Sequence, residues 1–286
     1  MLHAAASGNC MGADVEGVDL SRPLSDEAFG QVRDLLHRHH VLAFRRQSLQ
    51  PRQFLDFARR FGPPEPHLLD QYHHPGFADI LILSNVVKDG RPLGLADGGT
   101  YWHTDYSYLA MPARATVLYS VTVPRVGGDT LFADQALAYE ELPQAMKKRI
   151  DGKVTLNVYG NRDDPDLASR TSAPPPTEAQ KALRGATLIR HPLVRRHPHT
   201  GRKALYSVSG TSYAIEGMPD DEGLALLREL AAHATQARYR HAMKYGVGDV
   251  VVWDNASVLH SATLTDPGHP RTLYRVTTKE TQAPSA

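Results

Sequence analysis

Cysteine is almost missing from this chain: Cys10 is the one thiol in 286 residues. That excludes an intrachain disulfide framework and any zinc or iron–sulfur site built from several cysteines. Apolar runs near 20 residues are missing too, so no segment reads as a membrane-spanning helix. The first eleven residues are neutral and small, without the basic start and apolar core of a secretory leader. Charge of one sign is also scarce. Lys and Arg number 32 against 31 Asp and Glu, a net charge of +1, which leaves no electrostatic footprint for nucleic acid or an anionic membrane. These absences point to a cytoplasmic protein with neither nucleic acid nor membrane as partner. What is present, 41% hydrophobic and 22% charged residues, suits one large domain over residues 1–286 with a substantial core.

The pattern is mainly β, with helices set outside. Alternation over Ala13–Leu20 predicts a short strand. Ser25 followed by Asp26 and Glu27 reads as a helix cap with acids in the first turn, and Phe29, Val32, Leu35 and Leu36 then recur at helical spacing. Val41–Phe44 and Ile80–Leu83 read as strands. Between them, Pro51 opens a second helix with Phe54, Phe57, Ala58 and Phe61 on one face. Lys88–Tyr101 is a glycine-rich loop. Arg114–Val123 alternates as a strand, and Asp134–Ile150 is helical with a break near Pro143. From 160 to 185 the apolar signal collapses around four prolines, which we read as an insertion or lid. His191–Arg196 and Ala204–Val208 flank a turn and predict a hairpin. Asp220–Thr235 is a helix with Leu224, Leu227 and Ala231 in register, and Arg271–Thr278 is a terminal strand. Many short strands with helices grouped outside them predict a jelly roll.

The chemistry concentrates in Tyr101–Tyr106, read as a strand end. Residues i and i+2 of an extended segment point to one side, so His103 and Asp105 aim an imidazole and a carboxylate together. With a second histidine they would make the facial triad of non-haem iron oxygenases, which leaves coordination positions open. His260, in Val258–Ser261 after an apolar strand, is the candidate. Arg271 and Arg275, four apart, share one strand face with Leu273 between them. Turned inward, two guanidiniums require anions; turned outward, they are a solvated face. By residues alone, three functions remain open: an oxygenase, a metal-dependent hydrolase on the same three ligands, and a non-catalytic anion-binding jelly roll. Of the remaining histidines, His37–His40 suit a helix C-terminus, and His73, His74, His197 and His199 fall in polar turns expected at the surface. Trp253 and Asn255 read as packing and turn-ordering residues beside the site.

Several stretches, in order, resemble the taurine dioxygenase and 2,4-dichlorophenoxyacetate dioxygenase (TauD/TfdA) family: GADVEGVDLSRPL, WHTDYSY, VGGDTLFAD, HPLVRRHPHTGRKALY, GDVVVWDN, and LHSA followed by the arginine strand. The resemblance runs from about Gly12 to Thr278. It implies a double-stranded β-helix (cupin-like jelly roll) and an enzyme that uses Fe(II), 2-oxoglutarate and O2. It also implies His103, Asp105 and His260 as iron ligands, Thr130 and Arg271 at the distal carboxylate of 2-oxoglutarate, and Arg275 at the anionic group of the prime substrate. The expected reaction hydroxylates a small anionic molecule (a sulfonate, sulfate ester or aryloxyalkanoate) and releases succinate and CO2, with C–S or C–O cleavage where the hydroxylated product falls apart. His67 and Thr211 match positions around the substrate, and Tyr106, Tyr108 and Tyr159 read equally as pocket lining or as core. Gly99-Thr100-Tyr101 and Thr211 depart from the taurine pattern, which implies a re-cut substrate pocket. The family also implies a homodimer or homotetramer.

Overall fold

Alternating side chains along the central strands feed two different cores, and that parity builds the molecule. In the computed structural model, which describes residues 2–96, 98–160, 178, 182 and 188–286, eight strands form the main sheet. Their order is His3–Ala6, Ala13–Glu16, Val41–Phe44, Val250–Asp254, Ala113–Thr122, Thr272–Lys279, Phe77–Ser84 and His73–His74. Only Ala13–Glu16 and Val41–Phe44 run parallel; the other neighbours are antiparallel. A second sheet places Thr130–Asp134 between Arg240–Met243 and Val258–Ala262.

One parity faces outward. Leu42, Phe44, Ala115, Val117, Val250, Val252 and Val276 pack with Phe29, Val32 and Leu36 of the Asp26–His39 helix and with Phe54 and Phe57 of the Pro51–Arg59 helix. The first of these helices begins as the sequence predicts, with Ser25 Oγ accepting a hydrogen bond from the Ala28 N–H at 3.1 Å. It ends where His40 turns left-handed, at φ +62°. The other parity faces the second sheet: Val41, Ala43, Leu118, Val251, Trp253 and Leu273 pack with Phe132, Met243 and Val258. Side chains of two facing sheets thus interdigitate in one filled interior, and the expected jelly roll is the fold.

A further apolar cluster lies around the Asp220–Ala234 helix, close to the expected hairpin, which pairs Val194–Arg196 with Lys203–Leu205. The buried stripe of this helix is Gly223, Leu226, Leu227, Leu230 and Ala234. Of the three residues expected on it, only Leu227 is fully buried, because Gly223 sets the contact face by lying against Ile215. The glycine-rich loop also carries a short hairpin, Val87–Lys88 with Arg91–Pro92. The insertion expected over 160–185 lies almost wholly outside the described residues.

Candidate metal centre and cosubstrate cavity

Tyr101–Tyr106 is not the strand end that its spacing predicts. A single bridge joins His103 to His260, with N–H···O distances of 2.9 and 2.8 Å, and turns follow at once. The local geometry is made by ties instead. The Asp105 N–H donates to Asn255 Oδ1 at 3.3 Å, and the Thr104 hydroxyl donates to the Val258 carbonyl at 3.2 Å. Tyr106 sits at φ +55°, rare for a bulky side chain, with its hydroxyl on the Glu65 carbonyl. The outcome is the one expected from i, i+2 spacing, reached by a different backbone.

His103, Asp105 and His260 come together with their ligating atoms all within 4.8 Å of one another, the one such cluster among the described residues. Each imidazole Nε2 stands 3.6 Å from an Asp105 oxygen. That is too long for a hydrogen bond and is a spacing that atoms sharing a cation adopt. The Tyr101 carbonyl, 2.7 Å from His103 Nδ1, can only accept, so the proton sits on Nδ1 and Nε2 offers its lone pair to the cluster. Gly99 lets this ring approach: a Cβ there would meet His103 Cε1 at 2.8 Å. The donor set of two imidazoles and a carboxylate, without thiolate, fits Fe(II).

Both Asp105 oxygens are held from behind. Thr116 donates to Oδ2 at 2.6 Å and Arg275 Nη2 lies 2.7 Å from Oδ1. Asn255 Nδ2 in turn donates to Thr116, and Trp253 Nε1 donates to Asn255 Oδ1. Burial alone would raise the Asp105 carboxyl, but Arg275 and then His260 and His103 hold it well below its usual range. Burial, and then His103, keep His260 well below the ordinary imidazole value and so neutral. The sequence pointed to Asn255 as a turn residue beside the site, whereas Thr116 went unnoticed. Its signal was parity, since a polar residue on the inward face of an apolar strand calls for a partner.

Beside the cluster lies a cavity whose walls include His103, His260, Thr130, Arg271, Arg275 and Trp253. Both arginines therefore face inward, as the paired-anion reading requires. Arg271 packs over Gly128, where a Cβ would meet Arg271 Cδ and Nε at 2.9 Å. Thr130, at the start of its strand, exchanges a 2.7 Å hydrogen bond with the Tyr245 hydroxyl; Tyr245 is a second residue the sequence reading missed. His67 stands on the Arg275 side. Burial and then Arg275 push it down to about 3, so it is neutral. Its ring is 6.5 Å from that of Tyr106, which makes an edge contact with Tyr108, itself edge-on to Tyr159. Thr211 does not line this cavity; its hydroxyl bonds Ser107 and Ser209, both at 2.8 Å.

His197, expected at the surface, is buried, with Nε2 2.6 Å from Asp254 Oδ2; His40, expected as a helix C-terminal residue, is buried too and stands 3.9 Å from Asp134. Both partners come from strands distant in sequence, which no local turn pattern reveals.

The model of the taurine catabolism dioxygenase TauD, TfdA family matches residues 3–277. The chain belongs to the TauD/TfdA family. It is 35% identical over 283 residues to the alpha-ketoglutarate-dependent 2,4-dichlorophenoxyacetate dioxygenase of Cupriavidus pinatubonensis, covering 93% of each chain. It is 33% identical to the (S)-phenoxypropionate/alpha-ketoglutarate-dioxygenase of Delftia acidovorans, covering 96% of this chain and 93% of that one. Among solved structures, AAD-2 in complex with Mn(II) and N-oxalylglycine superposes with a TM-score of 0.81 at 27% identity and full coverage of both chains. With the family and the donor cluster in place, this TauD/TfdA-family chain is an oxidoreductase, a dioxygenase dependent on Fe(II) and 2-oxoglutarate. The hydrolase and passive-binding readings are set aside. No described helix is long and apolar enough to cross a membrane.

Proposed function

We propose that His103, Asp105 and His260 hold Fe(II), that Arg271 and Thr130 take the distal carboxylate of 2-oxoglutarate, and that Arg275 receives the anionic group of a small carboxylate with an apolar or aromatic body. When bound, Fe(II) would supply oxidative decarboxylation of 2-oxoglutarate by O2 to succinate and CO2, coupled to hydroxylation of a substrate C–H bond, one oxygen atom going to succinate and the other to the substrate. The protein orients and shields. Thr116 and Arg275 fix the Asp105 carboxylate, the Tyr101 carbonyl fixes His103, and the Leu83, Leu118 and Trp253 side chains keep the cavity wall apolar.

The observation that carries this reading is the placement of two inward guanidiniums, Arg275 on the Thr272–Lys279 strand and Arg271 just before it, with the three-ligand cluster beside the cavity they line. Arg271 offers its cation to the dicarboxylate cosubstrate, and Arg275 shares its guanidinium between Asp105, 2.7 Å away, and the substrate anion. An aryloxyalkanoate fits best among the anions considered. Trp253 lines the cavity wall, and on the Arg275 side Tyr106, Tyr108 and Tyr159 form an edge-to-face row; aromatic rings favour an aromatic neighbour. The relatives that act on dichlorophenoxyacetate and phenoxypropionate support the same class.

We assign residues 1–286 to one catalytic domain in a cytoplasmic homodimer or homotetramer. Family membership and the scarcity of cysteine support this, and light scattering on purified protein measures the oligomer. Succinate release over a panel of aryloxy acids, sulfonates and sulfate esters tests the substrate. Aryloxy acids should stimulate release above the substrate-free rate. Stimulation by taurine or an alkyl sulfate alone contradicts the class.

A further inference from the structure

Tyr245 does not line the cavity beside the metal cluster. It belongs to an adjoining cleft formed with residues 123–129 and Lys244. From there its hydroxyl reaches Thr130 Oγ1 at 2.7 Å, and Thr130 lines the cavity with Arg271. Register explains the reach: Met243 pairs with Thr130 across the sheet, and Tyr245 follows two residues later. The phenol thus stands behind the threonine rather than beside it.

We infer that Tyr245 is a positioning residue for the cosubstrate, donating its proton to Thr130 Oγ1 so that the Thr130 hydroxyl must donate in turn to the carboxylate held by Arg271. The argument is one of donor counting. A hydroxyl has one proton to give and lone pairs to receive. Thr130 could spend its proton on the phenol oxygen or on a carboxylate, but not on both. A carboxylate is acceptor-only, so with an anion on Arg271 the sole arrangement that satisfies all three groups runs Tyr245 to Thr130 to carboxylate. Burial pushes the phenol up to about 12, so its proton stays available at neutral pH. Donors arranged in series also polarise one another. The relay reads the distal carboxylate and no other part of the ligand. It therefore selects 2-oxo dicarboxylates over 2-oxo acids that lack the second carboxylate.

This inference rests on the proposed cosubstrate end at Arg271 and Thr130, and the test separates the two. Mn(II)-loaded protein is titrated calorimetrically with N-oxalylglycine, and with oxalate, which has no distal carboxylate. Tyr245→Phe should weaken N-oxalylglycine about five- to tenfold, the worth of one hydrogen bond to a charged network, and leave oxalate and Mn(II) binding unchanged. In a Thr130→Val background the same change should cost nothing further, because the phenol acts only through that hydroxyl. Thr130→Ser should restore both the affinity and the sensitivity to Tyr245→Phe. Unchanged N-oxalylglycine affinity in Tyr245→Phe overturns the relay, as does an equal loss for oxalate or an equal loss in the Thr130→Val background. If Arg271→Ala leaves N-oxalylglycine binding intact, the cosubstrate assignment itself falls.

Discussion

The two faces of one strand, Ala113–Thr122, show how the molecule divides its work. Outward, Ala115 and Val117 sit among phenylalanines of two helices in an apolar cluster without a charged member. Inward, Thr116 braces the Asp105 carboxylate, Leu118 walls the cavity, and Ser120 bonds the Gly246 and Asp249 carbonyls. The neighbouring Thr272–Lys279 strand repeats the division, with Val276 outward and Arg275 and Thr277 inward. Stability and chemistry are separated by a single residue step. Because β-strand parity is two, a one-residue slip would exchange them, and the antiparallel register on both sides of each strand prevents it.

The comparison can be broken most forcefully from either face. His103→Ala should abolish turnover, on the order of a thousandfold or more, while the thermal midpoint of the metal-free protein falls little, since that ring is hydrogen-bonded to the Tyr101 carbonyl and, among the described residues, pairs with no buried cation. Phe54→Ala on the outer core should do the reverse, costing about 3–5 kcal/mol of stability with turnover per folded molecule retained. Denaturant melts paired with single-turnover assays distinguish them, and parallel losses in both would erase the division between faces.

A finer cut separates the two inward arginines. Arg275→Lys, which keeps a cation beside Asp105 but loses the guanidinium fork, should weaken the prime substrate about tenfold, with 2-oxoglutarate little affected. Arg271→Ala should do the opposite, its loss reflecting an anion left without its charged donor. Equal losses for both ligands in either variant would sink this assignment. On the same scale, Thr116→Val should lower Mn(II) affinity about tenfold, as is usual for a group that orients a metal ligand, with Thr116→Ser near wild type.

A third region tests acid sensitivity away from the metal cluster. His191, on the Ile189–Pro192 strand, is buried, with Nε2 on the Leu109 carbonyl. Burial lowers it to about 4, against a partial opposing pull from that carbonyl. Its unfolded form takes up a proton near pH 6.5 while the folded form resists until about 4. Stability is therefore full above pH 6.5 and falls through that window, by at most about 1.4 kcal/mol per pH unit. Denaturation midpoints measured from pH 7 to pH 4 should be flatter in His191→Gln; an identical slope would remove His191 as a source.

Much of this was legible in the sequence because it was local or periodic. The Val41–Phe44 strand, the Ser25 cap and the break near Pro143 follow from nearest-neighbour chemistry, and the cluster follows from spacing plus motif order. What stayed hidden depended on register between distant strands. Thr116 opposite Asp105, Tyr245 behind Thr130, and His197 on Asp254 are partners 11, 115 and 57 residues apart. Thr211 illustrates the converse: the motif match placed it near the substrate, whereas its hydroxyl is engaged with two serines.

The central claim is that the inward face holds a metal and a keto acid together. The most direct test is anaerobic addition of Fe(II) and then 2-oxoglutarate, followed in visible absorbance. The account predicts a weak charge-transfer band in the wild type and in Phe54→Ala at a temperature where it is folded, and none in His103→Ala. No band from intact, metal-loaded wild-type protein, or an undiminished band in His103→Ala, would contradict it.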